Sequence, residues 1–408
     1  MSHYNTAALL NFEKAQQQLL SQAQVVTCHE TVNIDQALQH ILWQNIISPI
    51  DVPPFDASAM DGYALRHTNL SPGITLPISQ TISAGDPPSS LSSGTAARIF
   101  TGAPIPQGAD TVIIQENCTA NEQHVTFKEI EARHSNLRKQ GCHIKQAQTI
   151  LKRGARLNAA ALGLLASLGM EKVDVFRPLN VGVLSTGDEL TNPGSKNKPG
   201  QIFNSNHTML KALLTSMHCN VINLGTLPDD LTQIRSQLKA AQDNCDVIIS
   251  SGGMSVGDKD YVHTILNELG EVSFYKLNIK PGKPVAHAKL GKTDFLGLPG
   301  NPVSCFVTFY LLAQPFILKR QGLTHFHLQP HSAIAGFSRE TAQTRTEFLR
   351  VSVKIQSDGQ YVATPHPKQD SATLLSIYQS DGLLQIPANT AVKPGDTFLY
   401  HAFHHGQP

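Results

Sequence analysis

The spacing of hydrophobic residues changes several times along the chain, and each spacing predicts a different kind of structure. In two stretches near the N-terminus, residues 9–20 and 35–42, apolar side chains follow the helical repeat, which predicts one helix in each. The proline-rich segment 48–54 ends the second stretch, because proline cannot continue the hydrogen-bond ladder of a helix. A further helix is predicted over residues 157–169, with Gly169 as its C-cap.

Between these helical stretches the pattern is that of short strands. Pro and Gly recur every few residues, and the apolar runs between them predict strands at 75–82, 97–100, 111–115 and 124–130. We therefore expect an all-β unit, residues 47–147, inserted into a helical unit made of residues 1–46 and 148–177.

The next 148 residues, 178–325, repeat a strand, a loop and a helix. Strands are predicted at 181–185, 221–224, 246–250, 272–279, 285–288 and 295–298, and helices at 207–217, 231–242, 261–269 and 302–320. Strands separated by helices of this length predict a doubly wound, mostly parallel sheet, that is, an α/β domain.

The last part of the chain, residues 326–408, returns to alternating apolar and polar residues. Short strands are predicted around residues 348–355, 361, 383–386 and 397–400. A small β-barrel or sandwich is the expected fold of this part.

Composition excludes several classes of protein. Lysine and arginine (32) nearly balance aspartate and glutamate (31), whereas a general binder of nucleic acid or anionic membranes normally carries a basic excess. The six cysteines include no C-x-x-C pair, which argues against a disulfide scaffold or a structural zinc site. The N-terminus lacks the features of a signal sequence, and the longest apolar stretch, 159–170, is shorter than the ~20 residues that a spanning helix needs. We expect a soluble, cytoplasmic protein.

Glycine and carboxylate residues follow several of the predicted parallel strands, where such sheets bind ligands. The glycine-rich turn at residues 251–257 suits a phosphate group, because glycines let backbone N–H groups approach an anion. A tight strand-to-helix turn without a ligand explains the same glycines equally well.

Acidic residues are expected at the same edge of the sheet; they are Asp188, Glu189, Asp229, Asp258 and Asp260. Carboxylates beside a phosphate site are typical of Mg²⁺ binding. Helix capping is the alternative explanation for some of them, but it accounts poorly for Asp188 and Glu189, which precede a loop rich in Pro and Gly.

Three lysines lie close together in the segment KLNIKPGKP. Lys276 and Lys280 share one face of a predicted strand, and Lys283 follows after a turn. The group predicts a cationic pocket for an oxyanion, with an exposed strand face bearing solvated lysines as the alternative.

As a set, these motifs resemble the MoeA-type molybdopterin molybdenumtransferases. The matching segments, in the family's order, are SAMDGYA (58–64), TGAP (101–104), STGDEL (185–190), NSN (204–206), SSGGMSVGDKDY (250–261), KPGKP (280–284) and LPGNPVS (298–304). The resemblance implies the four units described above, with the barrel as the C-terminal fold. It also implies a homodimer in which the loops with Asp61 and Thr101 face the α/β domain of the other subunit.

The resemblance further implies a reaction. Adenylylated molybdopterin and molybdate would be converted to molybdenum cofactor and AMP, with Mg²⁺ as the cofactor and molybdate as a substrate. Further expected partners are the upstream adenylyltransferase and molybdoenzyme chaperones; nucleic acid and membrane are not expected.

Site residues are carried over motif by motif. Those implied for catalysis are Asp61, Thr101, Glu189, Asp229, Asp260, Lys276 and Lys280. Those implied for the pterin nucleotide are Thr186, Gly187, Asp188, Ser251, Gly252, Gly253, Ser255 and Gly257. Molybdate is assigned to Lys280, Lys283, Ser304, Arg350 and Ser371, and the metal to Glu189, Asp229 and Asp260.

One position departs from the family's pattern. His143 stands where the family has an acidic residue, so it either takes over that role or is a loop residue without one. The departure motivates an alternative function, a catalytically weakened relative that binds molybdopterin as a scaffold. His401, His404 and His405 near the C-terminus are expected in a solvated tail.

Overall fold

The structure is a computed structural model that describes residues 9–71, 73–253, 261–327 and 329–403. Short elements dominate the first part of the chain. They are α1 (Phe12–Gln22), β1 (His29–Asn33), β2 (Ile46–Ile47), β3 (Ala57–Ser58), β4 (Gly62–Leu65), β5 (Thr75–Ile82), β6 (Ala96–Ile99), β7 (Thr111–Ile114), β8 (Cys118–Ala120), β9 (His124–Phe127), β10 (Leu137–Arg138), β11 (Thr149–Leu151), α2 (Ala159–Ser167) and β12 (Lys172–Phe176).

The second helix predicted near the N-terminus is wrong. A single 3₁₀ turn, Ile34–Gln36, forms there, and Gln39 has a left-handed backbone with φ of 68°. The N–H of Leu42 donates to the carbonyl of Ala155 at 2.9 Å, so pairing with a distant segment takes the backbone groups that a helix needs. Leu42 is fully buried and Leu38 is 49 % exposed, so the apolar spacing reflects burial of an irregular segment.

The predicted helix over residues 157–169 is confirmed as α2. The side chain of Asn158 accepts from the N–H of Ala161 and caps its start. At its end Gly169 has φ of 73°, and the N–H groups of Gly169 and Met170 donate back to Ala166 and Leu165. This is a Schellman ending, in which a left-handed glycine satisfies the last carbonyls.

The predicted β unit forms one six-stranded sheet with the order β7-β4-β6-β5-β9-β8. All four strands predicted there are confirmed within three residues at each end. Gly62, in the segment SAMDGYA, is required by this sheet because a Cβ would lie 2.0 Å from the carbonyl oxygen of Ile113.

The α/β part contains the remaining long helices. Its elements are β13 (Asn180–Thr186), β14 (Leu190–Thr191), β15 (Ile202–Phe203), α3 (Ser205–Ser216), β16 (Asn220–Leu227), α4 (Leu231–Gln242), β17 (Val247–Ser251), α5 (Tyr261–Leu269), β18 (Glu271–Lys276), β19 (Ile279–Lys280), β20 (Pro284–Leu290), β21 (Thr293–Leu298), α6 (Pro302–Thr308) and α7 (Gln314–Arg320).

The central sheet of this part has the order β16-β13-β17-β21-β20-β18. The first four strands are parallel, and β20 runs antiparallel to both of its neighbours, β21 and β18. Helices cover both faces: α3 and α6 pack on one, α4 and α5 on the other. Ile248 faces α4 and α5 while its neighbours Val247 and Ile249 face α3 and α6, as the two-residue period of a strand requires. The predicted doubly wound, mostly parallel sheet is confirmed.

Helices α6 and α7 are joined by a π-helical segment, Phe309–Ala313. The resulting helix, Pro302–Arg320, is long and apolar enough to cross a membrane by length and composition, but 83 % of its apolar window is buried inside the protein. It is the core helix of the α/β part.

The C-terminal part is a closed barrel. Its elements are β22 (His331–Ala335), β23 (Thr346–Ile355), β24 (Tyr361–Pro365), α8 (Leu375–Tyr378), β25 (Gly382–Ile386) and β26 (Thr397–Ala402). Strands pair in the order β23-β24-β22-β26-β25, and β25 pairs with β23 to close the circle. Strand β19 of the α/β part adds to β23 in parallel, with Lys280 opposite Glu347.

The expected solvated tail is wrong at His401, which lies in β26 and is 8 % exposed. Its Nε2 lies 3.0 Å from the Gln385 side-chain oxygen, and its Nδ1 is buried with no partner among the described residues. His404 and His405 lie outside the described residues.

Burial lowers the pKa of His401 from 6.5 to about 4, so folding keeps the imidazole neutral. A histidine whose pKa is lowered by folding contributes fully to the free energy of unfolding above pH 6.5, and this contribution is lost as the pH falls toward 4. The wild-type free energy of unfolding should therefore fall between pH 7 and pH 4, and His401→Gln should remove up to about 3 kcal/mol of that fall, measured by denaturant unfolding. The exposed His331→Gln in the same barrel is the control and should leave the wild-type pH dependence in place.

Candidate functional site

An open cavity of 1150 Å³ lies where the carboxyl ends of β13, β17 and β21 meet the barrel. Three surfaces line it: glycine-rich turns after the parallel strands, a basic segment around β19, and a loop of the barrel, residues 369–372. This is the edge at which parallel sheets bind ligands, and the volume exceeds that of most drug-sized sites.

The glycine-rich wall comes from two neighbouring strand ends. Gly252 and Gly253 have φ values of 93° and 66°, and a Cβ on Gly252 would lie 2.5 Å from the carbonyl oxygen of Thr186. Thr186 is 3 % exposed and lines the cavity, and its hydroxyl has no partner among the described residues. A buried hydroxyl of this kind needs a hydrogen bond, which a ligand in the cavity can supply.

Two asparagines of the NSN segment connect the floor of the cavity. Asn204 caps α3 and donates to the hydroxyl of Thr226 at 2.9 Å. Asn206 donates to the carbonyl of Gly300 at 2.7 Å, so the start of α3 is fixed to the loop after β21. Both are buried cavity residues to which the sequence analysis gave no role.

Carboxylates line one edge of the cavity. Glu189 and Asp229 both line it, and a Cβ on Gly187 would lie 2.6 Å from a carboxylate oxygen of Glu189. Asp188 instead accepts from the N–H of Asp229 at 3.1 Å and is not a lining residue. Within the described ranges, no three His, Cys, Asp or Glu side chains are grouped to hold a metal ion by themselves.

The predicted residues Ser255, Gly257, Asp258 and Asp260 lie outside the described residues. Their predicted roles therefore remain predictions.

The cationic wall contains Lys280 and Lys283, as the sequence predicts, and also Arg345 from the barrel. Arg345 donates to the carbonyl of Ile279 at 3.0 Å, which ties it to β19. Lys276 is half-buried at the end of β18 and is not a lining residue. The prediction that Lys276 and Lys280 share one strand face is wrong, because β18 ends at Lys276 and Lys280 lies in β19, which pairs with the barrel. Arg345 was missed because it lies 62 residues beyond Lys283 in sequence.

The barrel loop supplies Ser371 and Asp370. The carbonyl of Ser371 accepts from the N–H of Val303 at 3.0 Å, beside the buried Ser304 at the start of α6. Hydrogen bonds from the side chain of Thr373 and from nearby backbone N–H groups lower the pKa of Asp370 to about 2. This carboxylate is therefore ionised at neutral pH.

The structure places Arg350 behind this loop and outside the cavity lining. It is 1 % exposed, and its guanidinium donates to the carbonyls of Lys368 and Asp370 at 3.3 and 2.8 Å and to the hydroxyl of Ser376 at 3.3 Å. Burial lowers its pKa to about 10, so it stays charged at neutral pH. In this geometry Arg350 shapes the loop that carries Ser371, and it makes no direct approach to the cavity.

Asp61 and Thr101 lie together in the β unit, outside the cavity lining of their own chain. The carboxylate of Asp61 accepts from the N–H and the hydroxyl of Thr101, both at 2.8 Å, and these bonds lower the pKa of Asp61. His143 is exposed, its N–H donates to the carbonyl of Val52, and it does not line the cavity.

Comparisons with known proteins agree along the whole chain. Residues 10–169 match the MoeA N-terminal region (domain I and II), residues 182–319 a probable molybdopterin binding domain, and residues 332–403 the MoeA C-terminal region (domain IV). A molybdopterin molybdenumtransferase of Haemophilus influenzae is 41 % identical over 401 residues, which is 97 % of this chain and 99 % of that protein. One of Nostoc sp. is 37 % identical over 72 % of this chain and 70 % of its own length. The crystal structure of the molybdopterin biosynthesis MoeA protein from Pyrococcus horikoshii OT3 superposes with a TM-score of 0.83 at 26 % identity, covering 97 % of this chain and 100 % of that one.

Replacement of Gly252 by alanine tests the glycine-rich wall. The new Cβ would lie 2.5 Å from a backbone oxygen at a left-handed φ, so Gly252→Ala should lower the free energy of unfolding. The matched control is Gly194→Ala, since Gly194 also has a left-handed φ (89°) but no atom within 4 Å of a new Cβ. The Gly252 variant should lose about 1–3 kcal/mol more than the control in denaturant unfolding, the usual cost of overpacking. Equal losses would contradict the close approach of these two strand ends.

Proposed function

Because this chain belongs to the MoeA family of molybdopterin molybdenumtransferases, and is thus a transferase of molybdenum cofactor biosynthesis, we propose that it transfers molybdenum from molybdate to adenylylated molybdopterin. The products are molybdenum cofactor and AMP, and the reaction depends on Mg²⁺.

The proposal rests on the order in which acidic residues, glycine-rich turns and basic residues line the cavity. Glu189 and Asp229 follow the neighbouring strands β13 and β16, glycine-rich turns follow β17 and β21, and three cations and Asp370 lie at or near the contact with the barrel. A substrate with a pyrophosphate bridge and an oxyanion co-substrate needs these groups within one site.

The donor set of the acidic edge fits Mg²⁺. Glu189 and Asp229 are hard oxygen donors at one edge, and Mg²⁺ is usually held by one or two carboxylates together with substrate phosphate oxygens and water. When bound there, Mg²⁺ would neutralise charge on the bridging phosphates. Asp260 is the third carboxylate proposed for this role.

The residues of the chain then have separate tasks. Thr186 presents its hydroxyl and Gly253 its backbone N–H group to the phosphates of the pterin nucleotide, with Ser255 and Gly257 as proposed extensions. The N–H of Gly252 donates to the carbonyl of Leu298 at 3.3 Å, so the task of Gly252 is to let the phosphates approach the backbone closely. Hydrolysis breaks the bond between the two phosphates: a water oxygen adds to the phosphorus of the AMP moiety, the pterin phosphate leaves, and one proton is released.

Molybdate binds as a substrate at the cationic side of the cavity. Lys280 and Lys283 offer ammonium groups, and Ser304 and Ser371 offer hydroxyls, to its oxygens. Arg350 is proposed as a positioning residue that fixes the loop of Ser371, because its Nη2 donates to the carbonyls of Lys368 and Asp370 at that loop.

We also propose a homodimer in which each cleft receives Asp61 and Thr101 from the partner subunit. The pair is supported by its geometry: an ionised carboxylate is held by two hydrogen bonds in a loop outside its own chain's cavity. The cytoplasm, the upstream adenylyltransferase and molybdoenzyme chaperones are proposed as compartment and protein partners.

Single-turnover AMP release tests the reaction directly. Purified protein with adenylylated molybdopterin and Mg²⁺ should release AMP in a burst that requires molybdate and that a chelator abolishes. Lys280→Ala should raise the molybdate concentration for a half-maximal burst by about tenfold to a hundredfold, because a hydrogen bond to a charged group contributes about 1.5–3 kcal/mol.

The control for that variant is Lys292→Ala, which removes the same charge from an exposed turn and should behave as wild type. Nucleotide binding without molybdate-dependent AMP release would contradict the proposed reaction and favour the alternative function, a scaffold that binds molybdopterin.

Mixed dimers test the shared cleft. At the molybdate concentration that gives a half-maximal wild-type burst, Asp61→Asn and Lys280→Ala should each abolish most activity alone, but a random mixture of the two subunits should recover about a quarter of wild-type activity. Half of the dimers then contain both variants, and one of the two clefts in each such dimer is intact. A mixture as inactive as either variant alone would place both residues in the same subunit's cleft.

A further inference from the structure

The ammonium group of Lys280 lies between the cavity and a buried carboxylate of the barrel. Its Nζ is 3.1 Å from Oε1 of Glu347 and 3.5 Å from the side-chain oxygen of Gln343. The other carboxylate oxygen of Glu347 pairs with the guanidinium of Arg339. One buried anion is therefore shared by two cations, of which Lys280 lines the cavity.

The two partners differ in how firmly they are held. The Glu347 side chain is 5 % exposed, whereas that of Lys280 is 42 % exposed. The backbones of both residues are fixed by the parallel pairing of β19 with β23, so the difference lies in the side chains. The carboxylate is the fixed member of the pair, and the lysine is the member that can turn toward the cavity.

A buried carboxylate is stable only with compensating charge, and Arg339 supplies that charge independently of Lys280. The contact with Lys280 is therefore not needed to neutralise Glu347. The contact affects the cavity instead, because the carboxylate offsets the charge of Lys280. Lys280 is one of the three cations that line the cavity, with Lys283 and Arg345.

We infer that Glu347 competes with the oxyanion substrate for Lys280 and so limits the affinity of the cationic wall. An anion bound to Nζ must draw the lysine away from Glu347 or accept the repulsion of a carboxylate on the far side of the same ammonium group. A doubly charged oxyanion gains enough from the wall to meet this cost, and the competition keeps the oxyanion from being held so tightly that its transfer is hindered. The identification of that oxyanion as molybdate rests on the proposed function.

Calorimetric titration of molybdate into the nucleotide-free protein tests the inference. Glu347→Gln keeps the size of the side chain and removes its charge, and it should bind molybdate three- to tenfold more tightly than wild type. The matched control is Glu340→Gln, which removes the same charge from an exposed residue next to Arg339 and should leave the affinity unchanged.

Turnover separates this role from a structural one. For Glu347→Gln, the molybdate KM of AMP release should fall by the same factor as the dissociation constant, while kcat stays within twofold of wild type. A variant that only loosened the barrel would raise KM or lower kcat. If Glu347→Gln does not fold, Glu347→Asp keeps the charge beside Arg339 but shortens the side chain and draws the carboxylate back from Nζ, and about twofold tighter binding is expected.

The outcomes separate the inference from the proposed function. Tighter molybdate binding by Glu347→Gln in a protein that releases no AMP would support the inference and overturn the reaction. Molybdate-dependent AMP release with unchanged or weaker binding in the variant would overturn the inference alone. Failure of both wild type and variant to bind molybdate would also overturn it.

Discussion

The candidate site depends on the pairing of β19 with β23, because this contact joins the barrel to the carboxyl ends of the central sheet. It places Lys280 opposite Glu347 in parallel register. A second link, from the N–H of Val303 to the carbonyl of Ser371, fixes the barrel loop at the start of α6. Without these two contacts the glycine-rich turns would face open solvent on one side, as the edge of a parallel sheet otherwise does.

Burial of charged groups behind the cavity keeps its surface in place. Arg350 and Glu347 are both nearly inaccessible, and each is satisfied by groups of the barrel: backbone carbonyls and the hydroxyl of Ser376 for Arg350, and Arg339 for Glu347. Such groups are costly to bury and are strongly constrained in position once paired. The barrel therefore acts as a rigid support whose surface residues, rather than its core, reach the ligand.

The sequence predicts most regular elements because their patterns are local, but it predicts long-range contacts poorly. Helices α4 and α5 begin and end where the apolar period indicates. The stretch after Asp35 has the same period and is not helical, since a left-handed Gln39 and pairing with residue 155 decide its backbone. Motifs located Lys280 and Glu189. Glu347 lies in β23 and Arg345 immediately before it, and no local pattern encodes the position of this strand beside β19.

The charged side chains that line the cavity explain how one site can suit groups of opposite charge. Glu189, Asp229 and Asp370 are acidic, and Lys280, Lys283 and Arg345 are basic, so the lining carries no net charge among these groups. In a protein with only 15 % charged residues, this concentration is a local arrangement and not an effect of composition. Glu189 and Asp229 follow β13 and β16, whereas the three cations and Asp370 lie at or near the contact with the barrel, so groups that suit a cation and groups that suit an anion line the same cavity from different parts of the fold.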